Sequence, residues 1–151
     1  MRKVSLWSLL AVFGLVSFSG CATMKESNIV ILEKPIILDD MHFEYDTDNF
    51  TRSGSQEVLR NIQVLDEYPE VKIRIDGYAS ASGTEEHNQN LSERRAKVVK
   101  QMLIEGGITP ERLRTIGYGE SRPAEFEPIP KNIDSAEAVA NRRVLFEIIV
   151  K

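Results

Sequence analysis

The 151-residue chain holds a single cysteine, Cys21, so no disulfide can form within one copy of it. Its two histidines, His42 and His87, stand far apart in the chain, and the sequence that follows them and lies between them holds no cysteine. Neither a Cys/His metal quartet nor a Cys-His nucleophile is therefore available. No G-x-S-x-G nucleophile elbow occurs. Gly117-Tyr118-Gly119 is too short to cradle a phosphate and reads better as a strand-end turn. An excess of basic charge is missing too: the formal net charge is −4, which weighs against nucleic acid as a partner. Internal repeats and low-complexity blocks are absent. These gaps point away from an enzyme and lead us to expect no cofactor and no resident metal. The length suits one domain with one core.

Only one long run is free of charge, Val4 to Phe18. It follows Arg2 and Lys3 and precedes the small residues Ser19-Gly20. That is the three-part layout of a secretory signal, and the run is short for a membrane span and interrupted by serines and Gly14. Phe18-Ser19-Gly20-Cys21 resembles a bacterial lipoprotein signal, although Phe18 stands where that signal usually has leucine. The resemblance implies that Cys21 is lipidated and becomes the first mature residue. It also implies sorting to the outer membrane, because Ala22 is not the aspartate that commonly holds such proteins at the inner one. More than one acyl chain is needed for stable anchoring, and that class of lipoprotein supplies them. Removing residues 1–20 takes away Arg2 and Lys3 and no acid, leaving 17 basic against 23 acidic residues, a net −6. The expected organisation is a signal at 1–20, the lipidated cysteine and a tether at 21–35, and one domain at 36–151. The polar stretch 22–28 reaches roughly 25 Å if extended, at about 3.5 Å per residue, so the domain should stay near the membrane.

Within the domain, Ile36 to Leu38 beside Pro35 suggest an edge or lead-in segment, as do Ile29 to Leu32 before it. Met41, Phe43 and Tyr45 alternate with His42 and Glu44, the period of a half-buried strand. Ser53-Gly54-Ser55-Gln56 has capping-box spacing, and Val58, Leu59, Ile62 and Leu65 follow at helical intervals until Tyr68-Pro69. Val71, Ile73 and Ile75 predict a strand that Gly77 ends. A second helix is predicted from Glu85 to Glu105 with Leu91, Val98, Val99, Met102 and Leu103 on its apolar stripe, closed by Gly106-Gly107. A short turn at Pro110, a strand over "RLRTIGYG", and a proline-bearing surface loop with a short helical end lead to a last strand, Arg143 to Val150. That strand is apolar on both faces and so belongs inside the sheet. The fold class is α+β: a two-layer β-α-β-α-β-β sandwich with the helices on one face of a small mixed sheet.

Asn88, Leu91, Ser92 and Arg95 fall three, four and seven positions apart and share one helix face, while Arg94 is turned about 100° away toward solvent. A guanidinium beside the Gly/Ser-rich loop Tyr78–Gly83 suits a carboxylate ligand, since its fork donates two parallel bonds. Spacing alone favours the plainer alternative, an Arg paired with a nearby Asp or Glu for stability.

"GYASASGTEEHNQNLSERRAKVV" (77–99), "GYGESRP" (117–123) and "NRRV" (141–144) resemble the C-terminal domain of outer membrane protein A, shared with the peptidoglycan-associated lipoprotein. The resemblance covers about Ile37 to Lys151, and its specific core is N-x-x-L-S-x-x-R-A at Asn88–Ala96. It implies a non-enzymatic domain that binds peptidoglycan through the diaminopimelate of the stem peptide, at the periplasmic face of the outer membrane. Carried over, it makes Arg95 the grip on the diaminopimelate carboxylate and Leu91 a pocket wall. Tyr45, Asp46 and Thr47 become the loop lining the ligand, and Asn88 and Asn141 become loop-tying supports. Arg142 and Arg143 either face the pocket or brace the fold. Where relatives have G-H-T-D, with the aspartate meeting the ligand's ammonium, this chain has Gly77-Tyr78-Ala79-Ser80. Ser80 offers a hydroxyl without charge, so Asp46 is the expected substitute carboxylate, ahead of Glu85 and Glu86. Ala138-Val139 before N-R-R-V and the long loop preceding them also depart from the usual pattern. An alternative follows from those departures: an envelope lipoprotein that uses the same fold to hold a protein partner.

Overall fold

The computed structural model describes residues 35–149; the signal segment, Ile29–Leu32 and Cys21 lie outside the described residues. The elements run β1 (Met41–His42), α1 (Gly54–Glu67), β2 (Lys72–Gly77), α2 (Glu85–Glu105), a 3-10 turn (Pro110–Arg112), β3 (Leu113–Gly117), α3 (Ala136–Asn141) and β4 (Arg143–Ile149). The sheet order is β1-β4-β2-β3, with β4 antiparallel to both neighbours and β2 parallel to β3. β4 is interior by pairing on both edges, while its face away from the helices is only partly covered, with Leu145 half-buried and Glu147 exposed. Among the described residues no helix is long and apolar enough to cross a membrane.

Register assigns the faces. Ile73, Ile75 and Gly77 of β2 sit opposite Ile148, Phe146 and Val144 of β4, and this face carries the helices. Met41, Phe43, Val58, Leu65, Val99 and Leu103 close the core between the layers. Arg74, Asp76 and Glu147 lie on the other face, where Arg74 bonds both carboxylates. Helix α2 ends in a Schellman motif: Gly107 takes φ +100°, its N–H donates to the Ile104 carbonyl, and the N–H of buried Ile108 donates to that of Leu103.

Three expectations need correcting. The first strand is only two residues long, because the chain turns back after Phe43, which bridges Phe50; Asp46 adopts φ +52° in that turn. Tyr45 consequently leaves the core and is 40% exposed. Ser53 itself has helical angles, so its hydroxyl forms no cap bond and its carbonyl accepts from the Gln56 and Glu57 N–H groups instead. Leu59 points outward. Of the two readings of Ile36–Leu38, the lead-in is the one found: the chain here is clipped to α1 by Asn61, which accepts from the Asp39 N–H and donates to the Asp39 carbonyl.

Candidate functional site

Helix α2 lies unusually close to the sheet because two strand ends lack side chains. A Cβ on Gly77 would stand 2.0 Å from the Ser92 carbonyl oxygen, and one on Gly117 would stand 2.7 Å from the Ser92 hydroxyl oxygen. The Ser92 hydroxyl fills that narrow space, donating to the Gln89 carbonyl and accepting from the Gly119 N–H. At its start the helix is capped by Thr84, whose hydroxyl accepts from the His87 N–H. The next turn along the Ser92 face carries Arg95.

Arg95 has no exposed surface. Its Nε–H donates to the Thr47 carbonyl at 2.9 Å, Nη1 to the Tyr78 carbonyl at 3.0 Å and Nη2 to the Glu44 carbonyl at 3.0 Å. The guanidinium also lies 5.1 Å from the centre of the Phe43 ring. No carboxylate among the described residues forms an ion pair with it. Burial, and next the nearby Arg142 cation, push its pKa down to about 10. A guanidinium offers five N–H donors, so three spent on carbonyls leave one on Nη1 and one on Nη2. Buried charges are ordinarily paired; this one has carbonyls and the Phe43 ring in contact and only the more distant charges of Asp48 and Asp46 to offset it, with two donors in reserve.

Arg142, also buried, sends Nε to the Phe43 carbonyl and Nη1 to the Ile133 carbonyl. Two cations thus grip the same segment, 43–47, from two sides. Arg143 belongs elsewhere: it packs 4.1 Å over the Tyr78 ring on the sheet face away from the helices, and Tyr78 stacks on Tyr118, which Arg122 covers in turn. Burial lowers the pKa of Arg143 as well.

The remaining candidates differ in what they hold. Thr47 contributes its carbonyl, and Tyr45 reaches the Ser82 hydroxyl at 3.2 Å. Asp46 is spent on His87, whose Nε2 lies 2.5 Å from its carboxylate, in an exposed pair that ties the 44–48 turn to the first turn of α2. Leu91 and Ser80 are buried. Asn88 donates to the Glu120 carboxylate. Glu85 and Glu86 face a separate cleft of about 630 Å³ with Gln89 and Tyr118–Ser121.

Asn141 uses all its bonding capacity: Oδ1 accepts from the Ala124 and Glu125 N–H groups, and Nδ2 donates to the Glu125 carbonyl and to Glu127 Oε1 at 2.7 Å. Glu127 had no signal in the sequence, where "EFEPIPK" reads as solvated loop. Gly77 and Gly117 were read as strand-end punctuation; their matching positions at the ends of paired strands were the clue to a closely packed helix. Among the described residues no group of His, Cys, Asp and Glu could hold a metal ion.

Comparison with known proteins gives a consistent picture. Residues 42–139 match the OmpA family. The peptidoglycan-associated lipoprotein of Mesorhizobium japonicum is 30% identical over 132 residues, covering 76% of this chain and 78% of that protein. Outer membrane porin F of Pseudomonas aeruginosa is 30% identical over 134 residues, 88% of this chain but 35% of the porin. The chain therefore spans about a third of the length of the porin F relatives it matches. Among solved structures, the peptidoglycan-associated lipoprotein of Burkholderia pseudomallei superposes with a TM-score of 0.66 at 23% identity, covering 73% of this chain and 89% of that one. The C-terminal domain of Helicobacter pylori MotB gives 0.64 at 23%, covering 76% and 87%. These two likenesses establish the fold.

Proposed function

The chain belongs to the OmpA family of structural, non-enzymatic envelope proteins, and from that premise we propose that it binds peptidoglycan non-covalently, taking a carboxylate of the stem-peptide diaminopimelate on Arg95. One observation carries the reading: a fully buried guanidinium that has no carboxylate partner and keeps two N–H donors unspent. An anion arriving there gains charge-assisted bonds in a low-dielectric setting and relieves the mutual repulsion of Arg95 and Arg142. Acyl chains on Cys21 hold the domain to the outer membrane at its periplasmic face, so the protein tethers that membrane to the wall. The lipoprotein-like signal at residues 18–21 supports this part.

Sedimentation with purified sacculi tests the wall contact. The full chain in detergent should co-sediment and be released by free meso-diaminopimelate; a chain left in the supernatant would refute the binding. Replacing Cys21 with Ser should move the protein from the outer-membrane fraction to the soluble periplasm, and persistence in the membrane would refute the anchor.

A second reading rests on Phe126 and Ile129, 80% and 64% exposed on the loop before α3. Exposed apolar side chains of this size suit a protein partner in the envelope. Crosslinking from this loop to one dominant protein, together with no sacculus binding, would favour it.

A further inference from the structure

We propose that Glu127 is the carboxylate that receives the ligand's ammonium group, in place of the charge that Ser80 cannot supply. This rests on the peptidoglycan reading above and names the chemistry of the second half of that site. Glu127 is 7% exposed. Its Oε1 accepts from the Ala81 N–H at 3.0 Å and from Asn141 Nδ2 at 2.7 Å, whereas its buried Oε2 has no partner. No cation among the described residues pairs with it. A carboxylate can accept about four hydrogen bonds; here two fall on one oxygen and none on the other. Leaving an acceptor buried and empty is costly, so such an atom calls for a visitor.

Position identifies the visitor. Ala81, which Glu127 grips, adjoins Ser80, and three residues back along the same loop the Tyr78 carbonyl is held by Arg95. Asn141, the other partner of Glu127, is followed in the chain by Arg142. The short loop 78–81 therefore has the buried Arg95 cation on its Tyr78 carbonyl and a buried, half-used carboxylate on its Ala81 N–H. A group bearing both a carboxylate and an ammonium, the zwitterionic head of an α-amino acid, matches that polarity. The carboxylate expected from Asp46 is already committed to His87, and Glu85 and Glu86 line a different cleft. Asn141 keeps Glu127 in place by fixing the loop at Ala124 and Glu125, so the carboxylate is set before any ligand arrives.

The test compares two probes by calorimetry on the full chain in detergent: meso-diaminopimelate, and pimelate, which has the same two carboxylates and no amines. Wild type should prefer diaminopimelate by at least about tenfold, the worth of a desolvated charge pair. Glu127→Gln keeps an amide oxygen for Ala81 and Asn141 but has no charge, and should lose that preference while still taking pimelate. Adding Ser80→Asp to Glu127→Gln should restore it. A Glu127→Gln protein that retains the preference overturns the proposal. So does a wild type that binds both probes equally, a comparison that needs no variant and leaves sacculus binding standing. Failure of wild type to bind sacculi at all would remove the peptidoglycan reading together with this one.

Discussion

Replacing Arg95 with Met separates what the arginine does for the fold from what it does for a ligand. Met is of comparable length and leaves no large void, so the perturbation is confined to charge and donors. Three carbonyls lose their partners, that of Tyr78 in a buried bond and those of Glu44 and Thr47 in part-buried ones; at about 2 kcal/mol for the first and about 1 kcal/mol for each of the others this costs about 4 kcal/mol. Against that, an uncompensated cation is no longer buried. The lowering of its pKa from the ordinary arginine value to about 10 corresponds to about 3 kcal/mol returned. A net destabilisation of about 1 kcal/mol should appear as a fall of roughly 3–8 °C in the melting temperature, with the domain still folded at 25 °C and unable to co-sediment with sacculi. Arg95→Lys keeps the charge without the planar fork. It should recover part of the stability and none of the binding. A Met variant melting within about 2 °C of wild type would refute the bracing account, and a Lys variant that binds sacculi normally would refute the fork.

Gly77→Ala forces a methyl into the Ser92 carbonyl and should cost about 3 kcal/mol or more in urea unfolding, whereas Gly107→Ala, at φ +100° in open space, should cost only about 1 kcal/mol. Asn141→Asp keeps the acceptor for Ala124 and Glu125 but sets a second carboxylate against Glu127; a loss of about 2–4 kcal/mol and weaker sacculus binding are expected. Sacculus binding should fall as the pH approaches and passes about 10, where Arg95 and the ligand's ammonium group both give up protons. Stability moves the opposite way: a lowered pKa means the unfolded chain holds more protons between about 10 and the ordinary arginine value, so the contribution of Arg95 rises with pH there. Unfolding of wild type and Arg95→Met across that range would expose the difference.

Periodicity carried most of the architecture. The limits of α2, the one-sided burial of β2 and the interior place of β4 all follow from which residues must leave water, and a repeat of 3.6 or 2 records that directly. The sharing of one face by Asn88, Leu91, Ser92 and Arg95 was likewise a matter of helical angle. Sequence could not say what Arg95 would hold, because its partners arrive from Glu44, Thr47 and Tyr78, and only closure of the sheet brings those carbonyls together. Spacing allowed an acidic partner; tertiary structure supplied carbonyls instead. Tyr45 kept the strand period yet left the core, since the bridge between Phe43 and Phe50 turns the chain before the pattern ends. Glu127 was hidden most completely. Burial of a loop carboxylate depends on contacts with Ala81 and Asn141, which are distant in sequence and leave no local periodicity.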